Sequence, residues 1–137
     1  MVKIIGSEKF VIQTKKALKL IKNKSKTDFK KISKYLKVIK QSKKSGIIPN
    51  QPKFYAGNKT AFHSVEWYAS AIVHDTHHYY LHSTKKLIWT PKTAKKHEKL
   101  CIKEQIKFLK KAKAPKSWIE YCGEVINTKY WLKNWTH

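Results

Sequence analysis

The segment Val65-Glu66-Trp67-Tyr68-Ala69-Ser70-Ala71-Ile72-Val73-His74-Asp75-Thr76-His77-His78-Tyr79-Tyr80-Leu81-His82 decides how the chain is read. Lysine is absent from it, in a chain where every basic residue is lysine and the net charge is +23. Apolar and aromatic side chains fill all sides of the segment, and its only carboxylates are Glu66 and Asp75. A helix that is apolar all round is a buried helix. Ser64 stands where an N-cap is needed, and Glu66 follows in the first turn. The segment therefore predicts a long helix through the centre of the protein, with its histidines away from water.

Downstream, a loop from Ser83 to Pro91 leads to a second helix expected from Pro91 or Lys92 to Ala112. Pro115 opens a shorter one with Trp118, Ile119 and Cys122, expected to end near Gly123. The aromatic tail from Tyr130 to Trp135 is expected to dock on the core, and Tyr79, Tyr80 and the tryptophans read as core residues. Upstream, Val2 to Ile5 read as a strand. Ser7 caps a helix with Phe10, Val11, Thr14, Ala17, Leu18 and Ile21 at helical spacing. After a polar break at residues 23–26, Thr27 or Asp28 caps a helix carrying Phe29, Ile32, Tyr35, Leu36 and Ile39, in a region closed by Gly46. Residues 47–63 read as one or two short strands around Phe54-Tyr55 and Thr60-Ala61-Phe62. The expected fold is α+β: a mostly helical single domain over residues 1–137, with a small sheet from residues 2–5 and 53–62.

The composition sets outer limits. With 41% hydrophobic and 12% aromatic residues, a chain of 137 residues can bury a real core, which excludes global disorder. No apolar run approaches the roughly 18 residues of a membrane span. Cys101 and Cys122 are too few for a disulfide framework, and Met1 to Lys9 do not form a secretory leader, so the setting predicted is a reducing cytoplasm. The lysines are dispersed and arginine is absent. This fits a solvated surface, with salt-sensitive, non-specific contact to nucleic acid through charge. Sequence-specific reading of guanine leans on arginine, which the chain lacks.

The chemistry lies in Val73-His74-Asp75-Thr76-His77-His78. His74 and His78 are four residues apart and share one helix face, so two imidazoles can chelate one ion. The order His-Asp-x-x-His is a variant of the HExxH zinc pattern, in which the acid activates the water on the metal. An open zinc site needs a third protein ligand. Glu98 lies 20 residues after His78, with Cys101 and Gln105 following on its face. Glu104 competes for the role but stands about 120° from Glu98 around the helix. His77 and His82 read as supporting or surface groups.

Residues 54–115, and above all Trp67 to His78 with Glu98, resemble the zincin metallopeptidases, specifically the gluzincin branch in which a second helix supplies a glutamate ligand. The stretch from Glu98 to Pro115 is also similar to small bacterial zincin-like proteins. The resemblance implies zinc held by His74, His78 and Glu98, Asp75 as general base, and a peptide or protein substrate. In the family the base is glutamate, and Asp75 is shorter by one methylene. The alternative reading is a basic nucleic-acid-binding or interaction protein whose His/Glu cluster is structural.

Overall fold

The computed structural model describes residues 2–48 and 50–130. Along the chain these form β1 (Lys3–Ile5), α1 (Glu8–Lys24), α2 (Lys26–Tyr35), β2 (Val38–Ser42), β3 (Gly46–Ile47) and β4 (Lys53–Gly57). Then follow α3 (Asn58–Ala61), α4 (Val65–Lys85), α5 (Ala94–Lys111), α6 (Lys116–Val125) and a 3-10 turn at Ile126–Thr128. The expected class, mostly helical α+β with a small sheet, is the class observed.

The sheet has the order β1-β2-β4-β3. β1, β2 and β4 are parallel, and β3 pairs antiparallel with β4. The register aligns Ile4, Ile39 and Phe54 across three strands, with Ile39 and Phe54 fully buried. Parallel neighbours need a long crossover, and α1 with α2 supply it between β1 and β2. The main core joins Phe10 and Ile21 of α1, Ile32 of α2, Ile39, Phe54, Tyr68 and Ile72 of α4, and Phe108 of α5. α4 is thus packed between the α1/α2 layer and α5, as its lysine-free sequence requires.

Three serines start three helices. Ser7 Oγ accepts from the Phe10 amide at 3.2 Å, Ser25 Oγ from Asp28 at 3.3 Å, and Ser64 Oγ from Trp67 at 3.0 Å. Ser25, rather than Thr27 or Asp28, caps α2, because its backbone is extended where the chain turns between α1 and α2.

Other boundaries also differ from expectation. α2 stops at Tyr35, and Ile39 lies on β2, where two neighbouring strands satisfy its backbone. Thr60 and Ala61 belong to the short helix α3, not to a strand. α4 continues to Lys85, where Lys86 adopts the left-handed conformation (φ 56°) that closes many helices. α5 begins only at Ala94, because Thr90 and Thr93 lock the preceding turn by exchanging side-chain and main-chain hydrogen bonds. α6 runs through Gly123 to Val125. Of the aromatic tail, Tyr130 packs against the core as expected, and residues 131–135 lie outside the described residues. Both cysteines are buried and free. Among the described residues no helix is long and apolar enough to cross a membrane.

Candidate metal centre

α4 and α5 form the most extensive helix pair, and their shared face is polar at its middle. The buried positions of α5 are Ala94, His97, Glu98, Cys101, Ile102, Gln105, Phe108 and Leu109. That is one helical stripe in which a histidine, a glutamate, a cysteine and a glutamine replace apolar residues. Opposite them stand His74 and His78, 7% and 3% exposed, and Glu98 is 2% exposed.

The Glu98 carboxylate faces both imidazoles. His74 Nε2 lies 3.2 Å from Oε1 and His78 Nε2 lies 3.0 Å from Oε2. Trp89 donates its indole N–H to Oε2 at 3.2 Å, and the Tyr130 hydroxyl donates to Oε1. The outer nitrogens are engaged as well: His74 Nδ1 with Gln105 Oε1 at 2.8 Å, His78 Nδ1 with His97 Nδ1 at 2.9 Å.

These contacts set the charges of the metal-free site. Burial opposes ionisation of Glu98, but the close approach of both imidazoles, His78 foremost, holds its carboxyl well below the usual range. Burial likewise disfavours a charged His74, yet the Glu98 bond and the Asp75 charge push it up to about 9. Burial brings His97 down to about 4, so its ring is neutral. Burial, with Glu98 and Asp75 nearby, raises the Cys101 thiol well above its ordinary value. The same two causes, burial first and then Glu98, raise the Tyr130 phenol, which keeps it a donor.

Imidazole, carboxylate and thiol groups are the donor types that zinc takes. Metal–nitrogen and metal–oxygen bonds of about 2.0–2.1 Å in a tetrahedron place neighbouring donors about 3.3 Å apart. The Glu98–His74 and Glu98–His78 separations are close to that value. Cys101, on the same helix face as Glu98, also comes into range: ligand atoms of His74, His78 and Cys101 all lie within 4.8 Å of one another.

A cavity of about 390 Å³ adjoins this cluster. His74, Asp75, Gln105 and Tyr130 line it, with Trp67, Ala71, Ile102 and Val125 among its apolar walls. Asp75, itself buried, thus shares the cavity with one of the two paired imidazoles.

The remaining candidates are placed elsewhere. His77 Nδ1 meets Lys31 Nζ at 3.1 Å, and its ring stacks on Tyr80. Glu104 pairs with Lys31 at 3.5 Å and with Lys107 at 3.3 Å, away from the imidazole pair. The ring of His82 packs against that of Tyr79, with centroids 5.6 Å apart. Sequence reading missed His97, which sits in a lysine-rich run; its one signal is that positions 97, 98, 101 and 105 continue the apolar stripe of α5.

The class defined by fold and site is a mostly helical α+β domain with a buried His-His-Glu cluster between two antiparallel-connected helices. Compared with known proteins, the chain matches no family model, no curated protein and no solved structure.

Proposed function

We propose that the protein is a zinc-dependent hydrolase that cleaves peptide bonds. The observation that carries this reading is the meeting of two imidazole Nε2 atoms with the two oxygens of one carboxylate, in a buried site beside a cavity lined by Asp75. His74, His78 and Glu98 would hold the ion, and Cys101 stands within reach of it. Zinc in such a site polarises a carbonyl and lowers the pKa of water.

The chain's own residues supply the rest. The buried position of His74, His78 and Glu98 strengthens the charge interactions among them. The Asp75 carboxylate takes a proton from the attacking water as its oxygen bonds the carbonyl carbon. It returns that proton to the nitrogen as the C–N bond breaks. Tyr130 is a neutral hydroxyl donor at the cavity wall. The +23 surface steers acidic peptides toward the protein, and the expected setting is the cytoplasm.

The test is peptide cleavage by wild type and Asp75→Asn at matched zinc occupancy. About one zinc per chain is expected in both, with turnover abolished in the variant, because the amide keeps the shape and cannot accept the proton. Equal cleavage by the two proteins removes Asp75 as base. Wild type without bound zinc removes the whole reading. Nucleic-acid binding that keeps a sequence preference near physiological salt would instead favour the basic-binding-protein alternative.

A further inference from the structure

We propose that His97 and Gln105 are positioning residues that fix both imidazoles with Nδ1 protonated, so that both Nε2 lone pairs face one shared cation. The inference rests on the zinc-site reading above. Two hydrogen-bond relays carry it, and each ends on a main-chain carbonyl, which can only accept.

The first relay starts at Leu87. Its carbonyl oxygen lies 2.8 Å from His97 Nε2, so that nitrogen carries the proton. His97 is fully buried and its two ring nitrogens meet an imidazole and a main-chain carbonyl, so it carries a single N–H and its Nδ1 is an acceptor. The group facing it at 2.9 Å is His78 Nδ1, which must therefore donate. His78 Nε2 is then a lone pair, 3.0 Å from Glu98 Oε2.

The second relay starts at Trp67. Its carbonyl accepts the Ser70 hydroxyl proton at 2.7 Å, so Ser70 Oγ accepts from Gln105 Nε2 at 3.1 Å. This orients the amide and turns Gln105 Oε1 toward His74 Nδ1, which donates at 2.8 Å. His74 Nε2 is then a lone pair, 3.2 Å from Glu98 Oε1. Two lone pairs and two carboxylate oxygens converge. Nothing among these four acceptors can donate, so a proton or a metal cation must sit between them. Partners that orient a ligand imidazole in this way sharpen metal affinity.

The experiment compares wild type with His97→Gln, His97→Leu and Gln105→Leu, measuring zinc affinity by competition with a chelator. Glutamine at 97 can still accept from His78 and donate to Leu87, whereas leucine keeps the bulk and does neither. Both leucine variants are expected to bind zinc about 10–100-fold more weakly, and His97→Gln within about threefold of wild type. Ring-nitrogen NMR of the metal-free protein should show His97 with Nε2 protonated and Nδ1 bare. A protonated Nδ1 on neutral His97 overturns the relay whatever zinc does. So does undiminished zinc affinity in both leucine variants. If His97→Leu does not fold, Gln105→Leu and the NMR measurement decide. Wild type that fails to bind zinc removes the zinc reading itself, while the ring-nitrogen spectrum still tests the relay.

Discussion

Helices α4 and α5 each contribute to two polar clusters, one with two imidazoles around Glu98 and no lysine, the other with one imidazole and Glu104 around Lys31 of α2. In the first, Glu98 faces His74 and His78, and its other partners are the neutral donors Trp89 and Tyr130. In the second, Glu104 and His77 share Lys31, whose ammonium also lies 4.7 Å above the Tyr80 ring. Lys31 holds the Glu104 carboxyl below its ordinary range against the effect of burial, and burial together with Lys31 drives His77 down to about 3. The second cluster carries its cation on the chain, so its balance is permanent. Among the described residues the first has no permanent cation, so a proton or an added ion would balance it. A buried carboxylate with two imidazoles and no lysine is what an exchangeable metal requires.

The largest effect that breaks this contrast comes from the carboxylates themselves. Glu98→Gln is expected to weaken zinc binding by more than about 100-fold, beyond the range typical of supporting residues. It also leaves a buried imidazolium without its partner, at about 3–5 kcal/mol of metal-free stability. Glu104→Gln should leave zinc affinity within about threefold of wild type. Zinc content after dialysis and chemical denaturation of the two variants provide the check. The reverse order would move the metal to the other side of the helix pair.

The next effect is on pH. A proton bound to His74 at neutral pH must leave when zinc arrives, because both need Nε2. Zinc affinity should therefore rise about tenfold per pH unit below about 9 and level off above it. Metal-free stability runs the other way. The folded value lies above the unfolded one of about 6.5, so the pair's contribution is complete below that pH and is lost as pH rises through about 9. Calorimetric zinc titrations in buffers of different ionisation heat should report about one proton released. An affinity indifferent to pH between about 6 and 8 would show that the two clusters do not differ in this way.

The difference between the clusters also marks what the sequence could reveal. α4 was legible because eighteen lysine-free residues after Ser64 admit few other readings, and His74 and His78 fall on one face by spacing alone. Glu98 was legible through its stripe with Cys101 and Gln105. β2 was not, because Leu36 and Ile39 prolong the helical spacing of Phe29 and Ile32. What turns Ile39 into a strand residue is pairing with β1 and β4, partners far away in sequence. Likewise nothing near His97 announces a buried ring: Lys95, Lys96 and Lys99 surround it in sequence while α5 turns them away from α4. Long-range pairing and helix rotation decide both cases, and local pattern carries neither.

The smallest expected effect separates a cation that is part of the fold from one that decorates it. The side chain of Lys31 is 14% exposed and that of Lys107 is 60% exposed, though both contact Glu104. Lys31→Met keeps the apolar stem and removes the ammonium from Glu104, His77 and the Tyr80 ring together. A cost of about 1–2 kcal/mol is expected, with the Glu104 carboxyl rising toward its ordinary range. Lys107→Ala should cost less than about 0.5 kcal/mol, because solvent screens an exposed pair. Neither change touches His74, His78 or Glu98, so zinc content should stay at the wild-type level in both. Denaturation midpoints for the two variants order the lysines, and parallel zinc measurements show whether the clusters act independently. If Lys31→Met lost zinc as well as stability, Lys31 would be tied to the metal face through α5, and the two clusters would have to be treated as one.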